Sequence, residues 1–211
     1  KLSPGLSPES GPGSKLKTAN VPIPVLPPPS ASDPFGGGDP FSQKASNPGE
    51  GFKTGVREME RGNWQAAISA FSKPGVLSAP KAKQYLAAVL LLKERASLTG
   101  SEAAQFDRYA AALDLEPQHK KQMTMQAVRE NMEVGNYGYA KKRLEWLIES
   151  SQGSVAQQVI TSMQQQLKQC NQNGANDKDV SLFENLESVA SRVEAAKSLE
   201  ELKLTIDGLT F

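Results

Sequence analysis

The segment Gly62-Asn63-Trp64-Gln65-Ala66-Ala67-Ile68-Ser69-Ala70-Phe71 has an echo 73 residues later, in Gly135-Asn136-Tyr137-Gly138-Tyr139-Ala140-Lys141-Lys142-Arg143-Leu144. Both copies run Gly-Asn-aromatic, then a small residue, then a large apolar one. Glycine and asparagine tolerate a positive φ better than other residues, so the pair suits a tight turn between two helices. The aromatic residue is then placed to pack back on the preceding helix, and the small residues let the paired helices approach. Trp64, Ala67, Ile68 and Phe71 recur at helical spacing, as do Tyr137, Ala140, Leu144, Leu147 and Ile148. Two helical hairpins are expected around these turns.

Further helices follow on either side. Phe52 to Glu60 pairs with Trp64 to Phe71. Pro80 suits the first turn of a long helix through Leu98, and its centre, Tyr85 to Leu92, is apolar nearly all round. Such a helix is expected between neighbours on several sides. Thr99-Gly100-Ser101-Glu102 matches a capping box, with Phe106, Tyr109, Ala110 and Leu113 on one face beyond it. Pro117 fits the first position of the next helix, which carries Met125, Val128 and Met132. Val155, Val159, Met163, Leu167 and Cys170 form another stripe, opposite a glutamine-rich face. Asn171 to Lys178 reads as a polar loop. Phe183, Leu186, Ala190 and Val193 mark a final amphipathic helix trailing into Leu199 to Phe211. No segment alternates as a strand. The fold class is therefore all-α: an irregular TPR-like α-solenoid of helical hairpins over residues 50–211. It is irregular because the 73-residue offset exceeds two repeats of about 34 residues.

Residues 1–49 are a different material. They hold 11 of the chain's 14 prolines, with 7 glycines and 8 serines. That composition cannot build a packed core and reads as a disordered arm. Val21 to Pro29 favours extended polyproline II, since each proline fixes φ and removes a donor. The chain opens on Lys1 in mid-linker, which reads as a piece of a longer protein, its C-terminal end.

Composition excludes several function classes. With 24 basic and 23 acidic residues there is no electrostatic footprint for nucleic acid. No apolar run approaches the ~18 residues of a transmembrane helix, and the start lacks the pattern of a signal peptide. One cysteine, Cys170, and one histidine, His119, exclude zinc sites built from several such ligands. A Cys–His dyad would need Cys170, late on an apolar stripe, to meet His119 at a helix start; a buried structural cysteine is the simpler reading. No cofactor and no enzymatic activity are expected. Lys141-Lys142-Arg143 is scattered around its helix and reads as a solvated face.

The sharpest functional signal lies in the arm, in Ser32-Asp33-Pro34-Phe35-Gly36-Gly37-Gly38-Asp39-Pro40-Phe41. Asp33 and Asp39 can each bond the backbone two residues on, Pro34 and Pro40 preset the turn, and Phe35 and Phe41 are presented outward. Burying one phenylalanine contributes about 1.5–3 kcal/mol, much of it offset by ordering the arm, so each copy binds weakly. Pairing them raises the effective concentration of the second. Such tripeptides resemble the motifs by which endocytic proteins engage clathrin-adaptor appendage domains. Asn47-Pro48-Gly49 begins like an EH-domain ligand but lacks its aromatic residue.

The stretch Ala111 to Cys170 resembles the C-terminal solenoid of the α subunit of the COPI coat. The matching residues are Leu115-Glu116-Pro117-Gln118-His119, Val134-Gly135-Asn136-Tyr137, Ala140-Lys141-Lys142-Arg143-Leu144-Glu145-Trp146-Leu147, and Val155-Ala156-Gln157-Gln158 onward to Cys170. Those subunits carry upstream β-propellers. This chain departs from the pattern by ending in the helix around Phe183 to Val193 and by carrying the paired Asp-Pro-Phe motifs. Both departures point to the similar TPLATE, or TSET, endocytic complex of plants. The resemblance implies a non-catalytic structural subunit, cytoplasmic and peripheral at plasma-membrane endocytic sites, whose helices bind sister subunits while its arm recruits adaptors. The alternatives are a COPI subunit in Golgi retrograde transport and a free-standing TPR-type peptide receptor.

Overall fold

The computed structural model describes residues 48–153, 155–174 and 186–210. Among these there are ten helices and no strand. They are α1 (Pro48–Glu60), α2 (Trp64–Phe71), α3 (Pro74–Leu77), α4 (Ala82–Arg95), α5 (Gly100–Ala112), α6 (Pro117–Glu133), α7 (Tyr137–Ser151), α8 (Gln157–Gln172), α9 (Val189–Ala195) and α10 (Leu199–Thr210). The all-α, solenoid-like reading holds.

The two Gly-Asn-aromatic turns are the same object. Gly62 and Gly135 take φ of 74° and 83°. Gly62 N–H donates to Met59 O and Asn63 N–H to Glu58 O, at 3.0 and 2.9 Å; Gly135 and Asn136 repeat this to Met132 O and Asn131 O, at 3.2 and 2.7 Å. Both are Schellman closures of the preceding helix. The aromatic N–H then donates to the glycine carbonyl in each copy, Trp64 to Gly62 and Tyr137 to Gly135. That contact is an inverse γ-turn centred on the asparagine. The asparagines therefore have negative φ, −82° and −78°, and only the glycines need the left-handed region. Each asparagine instead reaches back five residues with its side-chain amide: Asn63 Nδ2 donates to Glu58 Oε2 at 2.7 Å, and Asn136 Nδ2 to Asn131 Oδ1 at 3.0 Å. The Asn63 bond is the main cause holding the Glu58 carboxyl below its ordinary range.

Each principal helix packs on the next, from α1 and α2 through α4 to α8, with α3 as a one-turn connector. α1 can lie close to α2 because Gly55 faces it; a Cβ there would fall 2.6 Å from the Phe71 ring. The C-terminal pair does not extend this series. α9 packs on α4 and α5, and α10 on α4 and α9. α4 is thereby enclosed, which is what its apolar circumference requires. Tyr85, Leu86, Ala87, Ala88, Val89 and Leu91 are all fully buried.

Several boundaries differ from the sequence reading. α1 begins at Pro48, because proline suits a first helical turn, where its missing N–H costs nothing. α3 was not anticipated, and α4 starts after Pro80 and Lys81, the latter with φ of 63°. The Thr99 capping box does not form. Thr99 makes no side-chain cap bond, and Gly100 turns the chain at φ 61° between it and the helix body. Val155 precedes α8 and Val159 is exposed, so only Met163 and Cys170 of that stripe are fully buried. Asn171 and Gln172 are helical; residues 175–185, with the end of the polar loop and Phe183, lie outside the described residues, and beyond them the described residues form two helices broken at Ala196–Ser198.

Because the two turns share one geometry, Gly62→Ala and Gly135→Ala are expected to destabilise by similar amounts. Placing a Cβ in the left-handed region costs about 1–2 kcal/mol. Urea denaturation of the two variants checks this, and a loss confined to one of them contradicts the equivalence.

Candidate functional site

The single histidine and the single cysteine are both absorbed into the interior. His119, near the start of α6, is buried between α4 and α1 residues. Its Nδ1 lies 2.8 Å from Tyr85 Oη and its Nε2 lies 3.0 Å from Glu60 Oε1. Glu116 N–H donates to the Tyr85 oxygen at 3.3 Å. With a neutral imidazole, Tyr85 donates to Nδ1 and Nε2–H donates to Glu60, so every group is matched. Burial pushes the Tyr85 phenol up, against the opposing bond from Glu116. Tyr85 itself is fully enclosed, whereas the Glu60 side chain at the other end of the relay is half exposed. Cys170 is 0% exposed within a separate cluster that includes Val128, Leu144 and Met163. Burial also raises its thiol, which suppresses the thiolate.

Between the two apolar clusters, the α5–α6 seam is polar. Arg95 on α4 donates to Asp107 at 3.2 Å and also pairs with Glu130, which accepts from Gln126. Burial pushes the Asp107 carboxyl up, and Arg95 works against that. Arg108 donates to Asn131 Oδ1 at 2.7 Å, while Asn131 Nδ2 donates to Ala127 O and Ala104 O. The second Gly-Asn turn is tied to this seam through Asn136, which shares the Asn131 acceptor. Arg108 and Arg143 both lie over the Tyr139 ring, at 5.9 and 5.3 Å. Arg143 is thus turned inward, in contrast to the solvated face read from Lys141-Lys142-Arg143; Lys142 is exposed. These are structural networks that align α4 to α7.

The open surface is elsewhere. Trp146 on α7 is 36% exposed, Val159 on α8 46%, and Leu204 on α10 69%. An open groove of about 400 Å³ runs between α6 and α8, which both pack against α7. Met125, Met163 and Val159 give it apolar walls, and Arg129, Gln158, Ser162 and Gln166 supply its polar groups. A second cleft, of about 440 Å³, sits where α10 meets α4 and α5, with Leu98, Phe106 and Ile206 among Glu94, Glu102 and Asp207. These clefts lacked a sequence signal because each joins residues far apart in the chain.

Asp33, Pro34, Phe35, Asp39, Pro40 and Phe41 lie outside the described residues. Among the described residues, no helix is long and apolar enough to cross a membrane, and no three His, Cys, Asp or Glu residues are grouped to hold a metal. No family model, curated protein or solved structure matches the chain.

Lys120 has a distinct electrostatic signature. Its ammonium caps Leu113 O at the end of α5. Its pKa is pushed down to about 8, chiefly by burial, with Arg143 and Lys81 adding and Asp114 opposing. A depressed folded-state pKa means that between pH 8 and the ordinary 10.5 the unfolded chain keeps a proton the folded chain has lost. Lys120 therefore makes stability rise with pH across that window, and below pH 8 its charge is held at a cost. Lys120→Met should be more favourable relative to the parent at pH 7 than at pH 10.5. Urea titrations of both proteins at the two pH values test this; a difference that does not change with pH contradicts it.

Proposed function

We propose that this chain is a non-catalytic scaffold that binds other proteins through its helical array and recruits further ones through its Asp-Pro-Phe motifs. The observation that carries the reading is the uneven distribution of surface. The one histidine and the one cysteine are consumed in packing, whereas Trp146, Val159 and the α6–α8 groove leave apolar surface open toward the α8 end. Exposed apolar surface of this kind is a contact site more readily than a site of chemistry.

The finer reading rests on the resemblance of Ala111 to Cys170 to the COPI α-subunit solenoid, together with the paired motifs. On that reading the chain is part of a vesicle-coat subunit, of the TPLATE or TSET endocytic type. Sister subunits would bind the array. Clathrin-adaptor appendage domains would bind Phe35 and Phe41, with Asp33, Pro34, Asp39 and Pro40 shaping the two turns. Membrane association would be peripheral, through the complex.

Native pull-down with mass spectrometry, comparing residues 1–211 with residues 48–211, separates the two roles. The shorter chain keeps every described helix. Both should recover the same coat subunits, and only the longer one should recover adaptors. Phe35→Ala with Phe41→Ala should abolish adaptor recovery and leave the coat subunits bound. Adaptors retained by the double variant would refute the docking role, and coat subunits recovered by neither chain would refute the assembly role.

A further inference from the structure

The α6–α8 groove has a chemistry of its own. Gln158, Ser162 and Gln166 recur every four residues along α8, so they form one polar row with about 6 Å between members. An extended peptide presents equivalent groups every two residues, about 6.6–6.8 Å apart. The row therefore runs close to register with a peptide backbone over two or three steps. Glutamine amides offer both donors and acceptors, which is what a backbone N–H and C=O pair needs. Beside this row, Val159 and Met163 repeat the same four-residue step, and Met125 faces them from α6. Methionine adapts to varied apolar side chains.

Charge narrows the occupant. Arg129 is the one charged residue lining the groove, and it is exposed. α8 contains no Asp or Glu, its single charged residue being Lys168. On α6, Glu130 is drawn away into the seam by Arg95. Glu133, exposed one turn further along α6, lies outside the groove lining, so the charge an incoming segment meets within the groove is the Arg129 cation, which complements an acidic ligand.

We propose that the groove between α6 and α8 binds an extended segment of another protein carrying a carboxylate for Arg129 and alternating apolar side chains for Val159, Met163 and Met125. This rests on the reading of the array as a protein-binding surface, but not on its belonging to a coat. The polar row holds the segment's backbone, so selectivity comes from the one charge and the apolar pockets.

A random ten-residue peptide display selection on the full chain tests the proposal, followed by fluorescence-polarisation titration of the enriched peptides. Enriched sequences should carry Asp or Glu among apolar residues spaced by two. Arg129→Glu should weaken their binding at least tenfold, and so should Val159→Asp; both positions are exposed, and circular dichroism verifies that the variants fold. Basic enriched sequences, no enrichment, or binding unchanged in both variants would overturn the proposal. The pull-down outcome is separable. Coat subunits captured normally by Arg129→Glu alongside peptide loss show two distinct surfaces. Peptide binding without any coat capture sinks the coat reading and leaves the groove assignment standing.

Discussion

The packing of the first five helices and of the C-terminal pair follows from the need to cover α4. A helix apolar on one stripe can sit at a surface, but one whose Tyr85, Leu86, Ala87, Ala88, Val89 and Leu91 are all fully buried needs neighbours around its whole circumference. Burial stabilises by about 25 cal/mol for each Å² of apolar surface removed from water, so one uncovered side would forfeit several side chains' worth. α2 and α5, adjacent in the chain, cover part of it. The remainder is closed by α9 and α10, which return from beyond α8. Gln84 shows how tightly that closure is made. Its amide donates to Ala190 O on α9 at 2.9 Å and its oxygen accepts from Asp114 N–H at 3.2 Å, so a buried polar group is satisfied from both sides.

The return of the C-terminal helices divides the array into unequal halves. Around α4 the core is deep and the aromatic rings of Phe52, Phe71, Tyr85 and the His119 imidazole interlock at centroid distances of 5.2–5.9 Å. At the other end α8 buries only Met163 and Cys170 fully. The polar α5–α6 seam joins the halves with paired charges and matched amides, which hold orientation while contributing less net stability than apolar packing of similar volume would. The array thus has one deeply packed half and one open half. The open half is also where the groove lies.

Much of this architecture was legible from the chain alone. Gly62-Asn63 and Gly135-Asn136 announced two equivalent turns, and the stripe from Trp64 to Phe71 marked α2 to the residue. Pro117 marked the start of α6. These signals are local: a glycine at positive φ, a proline at a first turn and a 3.6-residue period act through a few neighbouring residues. What failed was where local preference met a competing constraint. Thr99 carried a capping signature that the Gly100 conformation displaced, and the asparagines bonded backward across the turn with negative φ. Tyr139, fully buried under two guanidinium groups, fell off the apolar stripe assigned to its helix and so gave no warning.

The proposed partner-binding surfaces divide along the same line. The Asp-Pro-Phe pair is a linear signal, complete within ten residues, and needs no fold to be read. The α6–α8 groove joins Met125 and Arg129 to side chains some thirty residues further on, and no periodicity within either helix reveals it. The sequence by itself determined that the chain is helical from about Phe52, where its hairpins turn, and which faces are apolar, because these depend on backbone preference and short-range spacing. Only the tertiary structure decided that α9 and α10 close over α4, that His119 is locked between Tyr85 and Glu60, and that α8 keeps an open side. Those outcomes depend on which apolar surfaces, distant along the chain, can be buried together.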